Sequence, residues 1–384
     1  DYDKIPVRYC HAWVKNTDTG VYHWEDYVSE AYYAFLDGVW DPNNNGYYLE
    51  SHDDDGDGYP EVDVEPIPDF GAEVYVGRLP AGNESEVDVM VDKILTYEMN
   101  PPSGTWFKKA LLFGAISNYE NEDNKGWEKT DEGKLKNYIK DDFLDLRTYS
   151  VLRFYEEAGL DPSSYDHEYG LTATNFITYF NQGSSVVNMA AHGSYDAVWR
   201  KIWNSDDGDG IPEGNEMAWT PFATVPTVYS KLNNGHMLPL TYIDACNAGW
   251  FDLAASDCLA EALIKTSQGG SIGVVASSRV SWYIVGWDKG DGLNQEFDYL
   301  FWEAFFIDNL HRPGNTLYYS KWKYYDAGFD LHGWAHKKDF LEYNLLGDPF
   351  VLIWTDIPGS LTVEGLPSTV YPGNVELHLT VKDA

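Results

Sequence analysis

The sequence predicts an α/β protein: a mostly parallel sheet sandwiched by helices, followed by the start of a C-terminal immunoglobulin-like β-sandwich. Three observations carry this prediction. After Pro101-Pro102, short apolar runs alternate with segments of helical periodicity. Apolar residues make up 43% of the 384, enough for a sizeable core. After Gly359 the pattern changes to short alternating strands, with Pro358, Pro367 and Pro372 as punctuation.

Residues 1–75 read as loop-rich, aromatic and acidic. Glu73–Leu79 is expected as a short strand ending in a glycine turn. In Glu84–Tyr97, Val87, Met90, Val91, Ile94 and Leu95 recur at helical spacing. Strands are expected at Ala110–Ile116, Thr148–Phe154, Ser185–Ala191, Leu238–Ala245 and Gly270–Ser277. Helices are expected at Gly133–Phe143, Thr172–Phe180, Val225–Leu232, Ser256–Thr266 and Asn294–Asn309, with Thr172 opening the second of these. Leu361–Val363 and Val375–Val381 alternate like edge strands.

Sixty-two acids against 26 bases give a formal charge of −36. Such a surface repels phosphate backbones, so nucleic acid is excluded as a partner. Cationic substrates and divalent cations suit it. No apolar run reaches the roughly 18 residues that a membrane-spanning helix needs, so no membrane span is expected. The start, Asp1-Tyr2-Asp3-Lys4-Ile5-Pro6, lacks the form of a signal peptide. The three cysteines, Cys10, Cys246 and Cys258, are too few for a disulfide scaffold and leave at least one thiol free.

Reactive groups in parallel α/β sheets gather at the carboxyl ends of strands. Two strands here end suggestively. Ser185–Ala191 runs into His192-Gly193-Ser194, and Leu240–Ala245 runs into Cys246-Asn247-Ala248-Gly249. A thiol attacks as thiolate, and a neighbouring imidazole can take its proton. Cys246 is therefore the candidate nucleophile and His192 its acid–base partner. The N–H groups of Gly193 and Cys246 can together bind an oxyanion.

These motifs resemble the His-Gly and Ala-Cys motifs of clan CD cysteine peptidases, the clan of caspases, legumains, clostripain and gingipains. The gingipain family, peptidase family C25, is most similar, over nearly the whole chain. Asp3-Lys4-Ile5-Pro6, Val74-Tyr75-Val76-Gly77-Arg78, Val91-Asp92-Lys93-Ile94, Cys258-Leu259-Ala260-Glu261-Ala262-Leu263 and Leu346-Gly347-Asp348-Pro349 follow in the family's order. The resemblance implies a caspase/gingipain-like fold and a secreted or cell-surface cysteine endopeptidase that cuts peptides or proteins after a basic residue, Arg in preference to Lys. It implies three segments: 1–98, the rest of an N-terminal subdomain lacking its first β-α region; 99–356, the catalytic subdomain; and 357–384, the start of an Ig-like domain. The missing region makes the chain's own cleaved N-terminal segment an expected partner. Trp282 falls where the family places an aromatic wall of the S1 pocket. Asp131 is the nearest match to the acid that binds the substrate guanidinium, with Glu128 and Glu132 as alternatives. An acid near the catalytic histidine has no clean match, although Asn118 and Glu120 are close in sequence.

Two acidic loops suggest structural Ca2+. Asp53, Asp55, Asp57 and Glu61 supply oxygens at the first, third, fifth and ninth positions of an EF-hand-type loop, with the Tyr59 carbonyl at the seventh. In the second loop Asp207, Asp209, the Ile211 carbonyl and a closing Glu216 take the equivalent places after Ser205. Asp41–Gly46 is a less charged version. Two other functions compete with the peptidase. One is a glycan-active or glycan-binding protein, suggested by 15 Trp and 29 Tyr among many carboxylates. The other is an inactive, calcium-stabilised adhesin.

Overall fold

The computed structural model describes residues 5–15, 20–41, 44–52, 61–62, 70–331, 334–359, 361–365 and 380–383. Seven strands form the central sheet, in the order Tyr343–Gly347, Gly273–Ser277, Leu240–Asp244, Val186–Ala190, Lys109–Gly114, Ser150–Tyr155 and Tyr169–Gly170. Every neighbouring pair is parallel except the first.

Side chains alternate between two cores, as the pleat requires. Leu111, Phe113, Val187, Met189, Ile243 and Val274 pack against Ala173–Phe180, Val225–Lys231 and Leu259–Lys265. Ala110, Leu112, Val186, Leu240, Tyr242 and Val275 pack against Gly133–Ile139 and Leu293–Phe306. Burial on both faces is why these strands appear in the sequence as unbroken apolar runs. Thr172 caps its helix as expected, its hydroxyl accepting from Asn175 N at 3.1 Å.

Residues before 75 correct the loop-rich reading. Tyr22–Val28, Tyr9–Lys15, Tyr48–His52 and Glu61–Val62 form a four-stranded sheet in that order. Its alternation is disguised because the small residues Cys10, Ala12 and Val14 point inward, while the neighbouring His11 and Trp13 are only partly covered. This sheet packs on Phe297, Tyr318, Phe340 and Leu341, which lie on or beside three later helices. Two of these helices, Pro313–Asp326 and Trp334–Glu342, spread apolar residues too evenly for a clear periodic signal. Glu73–Leu79 forms no strand; Arg78 alone bridges the central sheet's edge at Leu346. Pro80 and Pro349 bring no N–H to extend that pairing. Gly77 lies against Gly347, where a β-carbon would come 2.4 Å from the Gly347 carbonyl oxygen. Leu361–Glu364 pairs antiparallel with Thr380–Asp383; most of the expected Val375–Val381 strand lies outside the described residues.

Candidate active site

Ala190 and Asp244 are register partners on adjacent parallel strands. The residue two places beyond each is His192 or Cys246, so both leave the sheet side by side at its carboxyl edge. They line one cavity of about 210 Å³ with Ser117, Glu132, Trp282 and Tyr283. Gly193 lies against the Cys246 backbone. A β-carbon there would come 2.3 Å from the Cys246 carbonyl oxygen and 2.9 Å from its nitrogen, so only glycine fits.

His192 opens a three-stranded antiparallel sheet, His192–Ser194, Ala197–Trp203 and Met217–Thr224, that rises beside the site. The exposed Trp219 of that sheet meets the imidazole edge-on at 4.9 Å between centroids. Nε2 of His192 lies 2.7 Å from the Ser117 carbonyl oxygen. A carbonyl only accepts, so Nε2 carries the proton and Nδ1 holds the free lone pair. Neither Asn118 nor Glu120 holds the imidazole. Asn118 Nδ2 donates to the carbonyls of Glu128 and Tyr119, and Glu120 is exposed. Nothing in the sequence marks a backbone carbonyl as the holder of a histidine.

Cys246 Sγ donates to the Ser281 carbonyl at 3.5 Å. Burial pushes this thiol up to about 11. Burial also holds His192 down at about 4, helped by the Lys201 ammonium and opposed by the Ser117 carbonyl. The resting pair is thus a neutral thiol and a neutral imidazole. Cys10 and Cys258 are fully buried, which leaves Cys246 as the one thiol open to a cavity.

Trp282 sits in the cavity wall. Its backbone N–H donates to Asp339 at 3.0 Å and its backbone carbonyl accepts from Asn294 N at 3.0 Å. Asp131 is outside this wall. With Glu128, Lys134, Tyr165 and Trp287 it lines an adjoining cavity of about 220 Å³. Its carboxylate accepts from Gly133 N at 3.0 Å and Ser164 N at 3.3 Å, and burial raises its pKa. Of the three candidate acids, Glu132 alone borders both cavities. Beneath the site Lys136 bonds Asp298 and Asn188, each at 2.7 Å, with all three fully buried.

In the second acidic loop, ligand oxygens of Asp206, Asp207 and Asp209 lie within 4.8 Å of one another. An all-oxygen set of this kind suits a hard cation such as Ca2+. Asp206 joins this group although the EF-hand register passed over it. Glu216 turns inward instead, accepting from Asp207 N at 2.7 Å and Trp203 Nε1 at 3.0 Å. The Ile211 N–H donates to Asp209 at 2.8 Å, so that loop end is held by a side chain. Asp53, Asp55, Asp57 and Tyr59 lie outside the described residues, as does the side chain of Glu61.

Residues 1–354 match the model of peptidase family C25. The chain belongs to that family. Among curated relatives of this C25 chain, gingipain R2 of Porphyromonas gingivalis is 26% identical over 211 residues, covering 54% of this chain and 24% of that protein. Lys-gingipain of the same organism is 22% identical over 218 residues, covering 56% and 10%. The solved Arg-specific cysteine proteinase gingipain R superposes with a TM-score of 0.61 at 19% identity, over 82% of this chain and 63% of that one. A complex of Porphyromonas gingivalis RgpB pro- and mature domains gives a TM-score of 0.60 at 19% identity, over 82% and 65%. The C25 chain therefore spans a quarter or less of these curated relatives and under two thirds of the solved chains. Both superpositions agree with the gingipain-like fold expected from the motifs.

Proposed function

We propose that this chain is the catalytic unit of a secreted or cell-surface cysteine endopeptidase that cleaves after a basic P1 residue, with Arg favoured over Lys. The observation that carries the proposal is the shared cavity of His192 and Cys246, with Nε2 anchored and Nδ1 left to accept a proton. As substrate binds, Nδ1 takes the Cys246 proton and the sulfur attacks the scissile carbonyl carbon. The oxyanion falls to the N–H groups of Gly193 and Cys246. Collapse breaks the C–N bond, and the imidazolium protonates the departing amine. Water, deprotonated by His192, then releases the thioacyl group and regenerates the thiol.

Basic P1 specificity is supported by Glu128 and Asp131 around the adjoining cavity and by Trp282 in the wall of the first. Carboxylates suit a guanidinium, which they can hold bidentately. The preference for Arg rests on gingipain R being named Arg-specific. The test is a fluorogenic peptide panel varying only P1, with Cys246→Ala as control. Cleavage after Arg that vanishes in the variant supports the proposal; undiminished cleavage by the variant ends it.

Calcium at Asp206, Asp207 and Asp209 is proposed as a structural support. Added Ca2+ should raise Tm, and Asp206→Asn with Asp209→Asn should abolish that rise. The same thermal response in the double variant would remove this site.

A further inference from the structure

Glu132 stands at the start of the Gly133–Ile139 helix, yet its side chain makes no cap bond there. It turns to Ser117, whose hydroxyl donates to Glu132 Oε1 at 2.6 Å. Gln295 Nε2 reaches the same oxygen at 3.3 Å. The carboxylate is only 3% exposed, an expensive place for a charge unless it serves something. Gly114 allows this placement, because a β-carbon there would come 2.9 Å from the Glu132 carbonyl carbon. Ser117 is the residue whose carbonyl holds His192. It lies where the pairing of Ile116 with Asp131 and Asn118 with Thr130 shifts register, and its carbonyl turns to the imidazole. Two contacts therefore link the carboxylate to the imidazole, hydroxyl on one side of Ser117 and carbonyl on the other.

We infer that Glu132 is a positioning residue for His192, acting through Ser117 to fix the imidazole and favour the imidazolium formed when Cys246 gives up its proton. The inference rests on the dyad proposed above. When Nδ1 accepts that proton, the new positive charge is delocalised to Nε2–H, and the Ser117 carbonyl takes a stronger hydrogen bond. An ionised Glu132, bonded to the same residue, adds a negative potential from a buried position. A protonated Glu132 supplies less.

The groups facing Glu132 set when it is charged. Burial raises it to about 7, the Ser117 hydroxyl and the Lys136 ammonium lower it, and Asp131 and Asp298 raise it. His192 and Asp244 border the same cavity.

The test compares wild type, E132Q, S117A, the double variant and H192A. The rate of Cys246 alkylation by iodoacetamide is followed across pH, together with kcat and KM on an Arg-P1 peptide. Ser117→Ala keeps the carbonyl and removes the hydroxyl, and near-UV circular dichroism confirms that each variant is folded. E132Q should slow alkylation above neutral pH about 10-fold. It should also erase a step near pH 7, the value to which the site raises Glu132. kcat should fall in parallel, with KM within a factor of about two. S117A should behave alike, and the double variant should be no worse than either. If E132Q and S117A react like wild type while H192A is slow, the inference fails and the dyad stands. A rise in KM alone would also overturn it, making Glu132 a reader of the P1 cation. If H192A alkylates like wild type, the dyad fails and this inference with it.

Discussion

Gly193 and Cys246 are packed backbone to backbone, so closely that a β-carbon on Gly193 would lie 2.3 Å from the Cys246 carbonyl oxygen. The glycine after the histidine thus fixes how near the two motifs come. Gly193→Ala must push the strand ends apart. A displacement of that order is expected to lower kcat about 100-fold. Steady-state kinetics alongside a melting curve checks this, with Tm falling far less than activity.

The acid side of the activity profile follows from His192. Burial lowers its pKa to about 4, so the neutral base is present above that pH and lost as pH falls through it. kcat/KM should therefore persist below the usual histidine range, with any step near neutrality traceable to Glu132. Profiles of wild type and E132Q separate the two groups: the low limb should remain in the variant.

Thiol chemistry should be confined to one site. Burial pushes Cys10 up to about 12 and also raises Cys258 well above the usual thiol range, while Cys246 opens onto a cavity. Peptide mapping after brief alkylation of folded protein should find label on Cys246 alone. Denaturation should expose all three.

Under the site, Lys136 and Asp298 form a fully buried pair at 2.7 Å. Removing one partner strands the other charge. Asp298→Ala is expected to cost about 3–5 kcal/mol, measured by urea unfolding. Lys136→Met combined with Asp298→Leu should recover most of that loss.

Much of the scaffold was legible because strands buried on both faces must be apolar throughout. The runs ending at Ala190 and Asp244 could hardly be anything else, and they delivered His192 and Cys246 to one edge. The N-terminal sheet was hidden because Ala12 and Cys10 face inward while larger residues beside them stay partly open, reversing the usual size cue. Ser117 was invisible for another reason: its part in the site is played by a carbonyl, which every residue has. In the sequence Glu132 stands only as an alternative for the acid that binds a substrate guanidinium, not as a partner of the histidine. Its bond to Ser117 depends on an irregular pairing between Ile116 and Asn118 that no periodicity encodes. The acidic loop at Asp206–Asp209 stands out by composition alone; that Asp206 groups with Asp207 and Asp209 while Glu216 folds inward depends on the loop's conformation, which spacing does not encode.

The most direct test is a crystal structure of the protein with a peptidyl argininal. The Cys246 sulfur should add to the aldehyde carbon to form a hemithioacetal, with its oxygen against the N–H groups of Gly193 and Cys246 and with His192 Nδ1 within hydrogen-bonding reach. An inhibitor bound without a bond to Cys246, or a hemithioacetal with His192 turned away across the cavity, would contradict the account.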